Sequence, residues 1–265
     1  MIDAFATLKY EVVAGIATIT LARPPLNLID LELTHEYLRV LDRADADADV
    51  KVIILNGEGK GLSAGVDIRF LRDFGDAAMR EFVDLFYVEQ VRRVRALNKP
   101  IIAAVHGYAR EGACTMAFSC DMVIAADDTT FGYPGVPNLA APPGMHVWHL
   151  QRLLGRMKAA ELILTGEPIS AADADRYGMV TRVVPACELM EQTRLVAERL
   201  AKLSPSALKV TRDLMYEMES MDFAQVPERA AAAISCAFGS ADSIEARAAF
   251  LEKRTPRWQP LATQA

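Results

Sequence analysis

Three continuous apolar runs, VKVIILNG, PIIAAVHG and DMVIAAD, constrain this chain most strongly. Each is rich in β-branched or small residues and does not alternate with polar ones, the pattern of a strand covered on both faces. Each passes straight into a loop and then into a helical pattern. That recurrence predicts an α/β domain with right-handed crossovers, its ligand held at the carboxyl ends of the strands. The loops that matter most are then GEGKGLSAGVD, after the first run, and GYAREGACT, after the second.

The flanking segments fit the same plan. KYEVVAGIATITLA alternates apolar and polar residues on either side of a glycine, as in a hairpin with one buried face. Helical spacing follows over Leu31 to Ala44, Ile68 to Phe74 and Met79 to Leu97, the last ended by Asn98 and Pro100. CTMAFSC reads as the start of a buried helix. From about residue 155 the only strand signal is MVTRVV, while RMKAAELILTG, SAADADRYG, ELMEQTRLVAERLAKL, SALKVTRDLMYEM and SIEARAAFLEKR are helical. At 265 residues one main core is expected, with a core over 1–200 and a helical region over 201–265.

Composition narrows the class. With 52% hydrophobic and 24% charged residues the chain is neither disordered nor fibrous. A net charge of -6 and a pI near 5.3 argue against nucleic acid as a partner, and the basic cluster Arg92 to Arg95 reads as one solvated helix face, since Val91 and Val94 interleave with it. Four cysteines without paired spacing or a nearby histidine cluster suggest neither a disulfide framework nor a metal site, and favour a reducing cytoplasm. No signal peptide and no membrane anchor are expected.

Small residues Ser63, Ala64 and Gly65 follow a buried strand and precede a helix beginning near Asp67. Amides at such a helix entry lack intrahelical partners and can bind an anionic oxygen. GYAREGAC repeats the arrangement one strand later. Two amides converging on one thioester oxygen would form an oxyanion hole for an enolate. In the second loop, however, Arg110 and Glu111 stand where close backbone approach favours glycine.

At this point the chain resembles the crotonase (enoyl-CoA hydratase/isomerase) superfamily. LARPPLN, GKGLSAGVDI, NKPIIAAVHGYA, SCDMVIAADDTTFG, AAELILTGEPISAADADRYGMVTRVV and AFLEKRTPRW match its blocks in order and spacing, over nearly the whole chain. The resemblance implies a spiral of ββα turns, a C-terminal helical region that helps trimerise, often as a dimer of trimers, and an acyl-CoA substrate, coenzyme A being part of the thioester and no separate cofactor being needed. It places the oxyanion amides on Ala64 and Gly112, a CoA-contacting base on Lys60, and Arg23 near the CoA adenosine and phosphates. Ser63, Gly65, Val66, Asp67, Thr115 and Gly135 fall in its substrate-binding blocks.

The resemblance also exposes a departure. Hydratases of this family carry glutamates at the positions of Thr115 and Gly135, and the pair activates the added water. Threonine is no base near neutrality and glycine has no functional group, so simple 2-enoyl-CoA hydration is not expected. The aspartate of dienoyl isomerase relatives is replaced by Pro143. Remaining acid or base candidates are Glu111, His146, Glu89 and Tyr133, with Trp148 read as packing. Relatives without the glutamate pair decarboxylate, cyclise, rearrange or cleave diketones, and the dihydroxynaphthoyl-CoA synthase branch shares glycine at position 135. Three functions are therefore open: an enolate-stabilising acyl-CoA enzyme, a β-dicarbonyl hydrolase in which His146 activates water, and an inactive acyl-CoA-binding scaffold.

Overall fold

A computed structural model describes residues 5–259. Among the described residues, nine strands form two sheets. In the larger, β1 (Leu8–Val13) and β2 (Ile16–Leu21) pair as the expected antiparallel hairpin, and β3 (Val52–Gly57), β4 (Ile101–Val105), β6 (Met122–Ala126) and β9 (Arg182–Val184) continue it in parallel, in the order β1-β2-β3-β4-β6-β9. Short strands β5 (Tyr108–Arg110), β7 (Thr130–Gly132) and β8 (Ile169–Ser170) form the second sheet. Isolated parallel bridges Ile29 to Val66 and Ser63 to Ala109 extend that second layer. Successive passes of the chain thus leave one strand in the large sheet and one short extended segment in the small layer before a helix, the ββα spiral.

The helices are α1 (Leu31–Ala46), α2 (Ile68–Leu71), α3 (Asp76–Val83), α4 (Gln90–Ala96), α5 (Gly112–Ser119), α6 (Gly135–Leu139), α7 (His146–Leu154), α8 (Arg156–Thr165), α9 (Ala171–Arg176), α10 (Leu189–Ala201), α11 (Pro205–Met218), α12 (Val226–Phe238) and α13 (Ala241–Glu252). A π-helical turn, Asp84–Glu89, joins α3 to α4, so the single helix expected over Met79 to Leu97 is in fact two α segments with a widened turn between them. Helices α6, α7 and α12 carry no clear sequence signature. The two-sided burial of the β-branched runs has a direct cause: Val52, Ile54, Ile102, Ala104 and Ile124 pack against Leu189, Val196 and Ala197 of α10, and the alternate residues Ile53, Leu55, Ile101, Ala103 and Val105 face the main core.

Helix α11 is tied to the core by Arg212, which is nearly buried. Its Nε sits 2.7 Å from Asp121 Oδ1, and its other nitrogens donate to the carbonyls of Val94, Arg95 and Leu97 at the end of α4. Tyr216 of the same helix donates to Asp121 at 2.9 Å. Removing the guanidinium strands a carboxylate and three carbonyls, so Arg212→Ala should lose about 3 kcal/mol in urea unfolding followed by circular dichroism.

Candidate active site

The first loop is held by Asn27, which lies at φ 52°, a conformation asparagine tolerates better than most residues. Its amide nitrogen donates to the carbonyls of Glu58 at 2.9 Å and Leu62 at 3.1 Å, and its oxygen accepts from the Arg23 amide at 2.9 Å. Ser63, fully buried, accepts the Gly65 amide at 3.0 Å. Gly65 stands at φ 97°, and a Cβ there would lie 3.0 Å from the Arg110 carbonyl oxygen and 3.4 Å from Glu111 Cβ. A glycine is needed at this contact, because it both permits the dihedral and lets the two loops meet.

The backbone bonds of the first loop differ from one expectation. Ala64 donates to the Leu26 carbonyl at 2.9 Å and is not free to bind a substrate oxygen. The parallel bridge to Ile29 uses the Gly65 carbonyl and the Asp67 amide, which turns the intervening Val66 amide the other way, without an acceptor among the described residues. Gly112 opens α5, so its amide has no intrahelical acceptor. A Cβ on Gly112 would meet Ile29 Cδ1 at 2.9 Å and the Phe86 ring at 2.8 Å. The residues before these two amides, Gly65 and Glu111, are the ones that meet, so both amides lie next to the contact between the loops.

Glu111 is the residue this geometry singles out. It has φ 45° and ψ -109°, a backbone conformation suited to glycine, and it immediately precedes α5. Such a residue stores strain of roughly 1–3 kcal/mol. Its side chain is 14% exposed, and Oε1 has no hydrogen-bond partner among the described residues. A Cβ on Gly135 would lie 2.9 Å from that oxygen. The carboxyl thus occupies room that a side chain at position 135 would need. Burial pushes Glu111 up to about 7, and the facing Gly135 amide offsets this only in part.

His146 and Thr115 complete the cluster, both fully buried. His146 Nε2 lies 3.0 Å from Thr115 Oγ1 and 3.9 Å from Glu111 Oε2. Burial pushes the imidazole down to about 3, with nearby His149 adding to the effect, so the ring is neutral and a weak base at pH 7. Phe86, stacked on Phe82, and Tyr87, edge-on to Phe86, wall the site from the π-helical turn. Wide turns of this kind recur at functional sites because they redirect side chains.

Other expected residues stand elsewhere or are already engaged. Arg110 does not pair with Glu111: its guanidinium donates to the Thr130 carbonyl and hydroxyl at 2.6 and 2.9 Å, its stem running past Gly132. Glu89 is 38% exposed and pairs with Arg93 at 2.7 Å, which removes it from the pocket. Tyr133 is fully buried, its ring 4.7 Å from His146, its hydroxyl without a partner among the described residues and its pKa raised well above the ordinary value by burial. That makes it a wall of the cluster and a poor proton donor. Arg23 is tied to Asp30 at 2.5 Å and to the Leu28 carbonyl. Lys60 is exposed, and Asp67 caps α2 through the Arg69 amide. Asn27 was missed as an organiser although it ends the quoted block LARPPLN, because a buried asparagine at positive φ has no spacing signature.

A ββα spiral with two free loop amides over a buried carboxyl defines a crotonase-type acyl-binding architecture. The comparisons with known proteins agree. The Enoyl-CoA hydratase/isomerase family profile matches residues 11–260. The "Probable enoyl-CoA hydratase echA8" of Mycobacterium tuberculosis is 34% identical over 258 residues, 96% of this chain and 98% of that protein. Among solved structures, an enoyl-CoA hydratase from Bacillus anthracis superposes with a TM-score of 0.89 at 30% identity, covering 95% of this chain and 98% of its own. DspI of Pseudomonas aeruginosa gives 0.90 at 29%, covering 97% and 98%. This chain belongs to the enoyl-CoA hydratase/isomerase family. Among the described residues no helix is long and apolar enough to cross a membrane.

The buried carboxyl has a thermodynamic consequence. Its folded pKa, about 7, exceeds the ordinary 4.5, so between these values the folded state binds more protons than the unfolded one and stability falls as pH rises. Glu111→Gln should therefore be about 3 kcal/mol more stable than wild type at pH 8 in urea unfolding, with the gain vanishing near pH 4. Glu111→Gly should keep an additional gain of roughly 1 kcal/mol at both pH values by relieving the positive φ.

Proposed function

We propose that this protein processes an acyl-CoA by moving a proton at the carbon next to the thioester carbonyl, with Glu111 as the acid–base group and the Val66 and Gly112 amides holding the enolate oxygen. One observation carries this reading: a buried carboxyl, pushed up to about 7 by burial, whose Oε1 has no partner among the described residues and which lies beside two amides with no acceptor among them. A base with a pKa near the working pH combines sufficient ionisation with sufficient basicity, and preorganised amides favour charge that develops only during reaction. Proton abstraction gives the enolate and a neutral Glu111, and the same group can return the proton to the same or a neighbouring carbon.

Ordinary hydration is disfavoured because it uses a carboxyl pair, and this cluster holds one carboxyl with a neutral Thr115–His146 couple. Hydrolysis of a diketone by His146 is disfavoured because an imidazole with a pKa near 3 abstracts protons poorly from water at pH 7. We further propose that the chain works as a homotrimer or a dimer of trimers. Phe223, Phe250 and Leu251, exposed by 80%, 82% and 79%, lie in the C-terminal helical region that the family resemblance assigns to assembly, and large exposed apolar side chains gathered in one region mark association surfaces.

The reading is tested by incubating the protein with butyryl-CoA in deuterium oxide and following the mass gain of the α-carbon. Exchange should rise with pH through a midpoint near 7 and fall at least about 100-fold in Glu111→Gln. Unchanged exchange in that variant, or hydration of crotonyl-CoA at an ordinary hydratase rate, would overturn it. Analytical ultracentrifugation should give three or six times the 29.0 kDa chain mass, and a monomer would refute the assembly.

A further inference from the structure

We propose that His146, locked by Thr115, is a positioning residue for Glu111: its neutral Nε2–H orients the carboxyl and favours the carboxylate that abstracts the proton. The proposal rests on the reading of Glu111 given above and adds the group that sets its orientation and proton affinity. Three observations converge on it. His146 Nε2 lies within 3.0 Å of Thr115 Oγ1 and 3.9 Å of Glu111 Oε2, so one small side-chain rotation brings the carboxylate into hydrogen-bond range. The ring is fully buried on α7 and edge-packed against Tyr133 at 4.7 Å and Tyr87 at 6.3 Å, which fixes its plane. Nδ1 has no partner among the described residues.

The last point selects the tautomer. A neutral imidazole has one N–H and one bare nitrogen. A buried N–H without an acceptor is the rarer and costlier orphan, so the proton belongs on Nε2, where Thr115 Oγ1 can accept it and Glu111 can share it. A donor placed beside a carboxylate stabilises its charged form. Among the described residues, the side chains that face Glu111 bring no competing charge. From α5 comes the Cys114 thiol, pushed up to about 12 by burial, from the end of β7 the Tyr133 phenol, and from the π-helical turn the Tyr87 phenol, both raised by burial. His149, one turn along α7, is pushed down to about 4 by burial. All four are neutral at pH 7; Arg110, the residue before Glu111, is committed to Thr130, and Arg95, Arg152 and Glu219 act on His149.

The test reads Glu111 directly and needs no turnover. In protein carrying 13C at the glutamate side-chain carboxyls, the resonance lost in Glu111→Gln is followed from pH 5 to 9. Wild type should titrate near 7, His146→Leu about one unit higher or more, and His146→Gln, which keeps a neutral donor, between the two. Thr115→Val should move the midpoint upward and Thr115→Ser should not, a pair that decides the matter should His146→Leu fail to fold. A midpoint unchanged in His146→Leu, or shifted downward as expected if Nε2 were instead accepting a proton from the acid, would overturn the proposal. Deuterium exchange into butyryl-CoA separates the two readings. Loss of the His146 effect with exchange intact sinks the positioning role alone, while an intact effect with exchange indifferent to Glu111→Gln sinks the proposed reaction.

Discussion

The site depends on the parallel pairing of β3 with β4. Ile53, Ile54 and Leu55 lie opposite Ile101, Ile102 and Ala103, so the loops that follow leave the sheet at the same edge and in the same direction. Side chains on both faces of this pair are buried, against α10 below and the main core above. A one-residue slip would swap the residues packed on the two faces, so that neither set would fit the layer it met, and that packing cost fixes the register. Once it is fixed, the Gly65 loop must meet the Arg110–Glu111 backbone, and the free amides of Val66 and Gly112 lie close to that meeting point.

Glu111 takes a position that local preference would assign to glycine, and it does so in an environment that disfavours its charge. Both terms oppose stability, so the surrounding structure must over-determine the conformation. The Glu111 amide is held by the Gly132 carbonyl at 3.0 Å, its carbonyl accepts the Thr115 amide at 3.1 Å, and Arg110 on the preceding residue is clamped to Thr130. Glycines at 132 and 135 leave room for the Arg110 stem and the Glu111 carboxyl respectively. The large residues of AREG and the small ones of FGYPG are two halves of one packing solution.

Much of this was legible in the sequence, and the limits are physical. Continuous β-branched runs identify the doubly buried strands, because two-sided burial leaves no polar alternation. The small sheet is harder to read, since β5, β7 and β8 have three residues or fewer, too short to show a period. The Met79 to Leu97 stretch keeps helical periodicity overall and hides the π-helical turn that aims Phe86 at Gly112. Ala64 and Val66 are both small or apolar residues of one loop, and only the backbone bonds decide which amide is free. Glu111 and His146 could each be singled out by type, but their meeting could not, because 35 residues and several turns of chain separate them.

On the proposed reading, a threonine at 115 and a glycine at 135 do not empty the site of acid–base capacity. That capacity then sits on Glu111, at the start of α5 and one helical turn before Thr115, beside a neutral hydroxyl–imidazole couple. Two ionised carboxyls in one dry pocket raise each other's proton affinity and share their titration. A single carboxyl does not, and its pKa is then set by burial and by whatever neutral donors face it. Such a site suits a reaction in which one group takes a proton and gives it back, rather than one in which two groups split and deliver a water molecule.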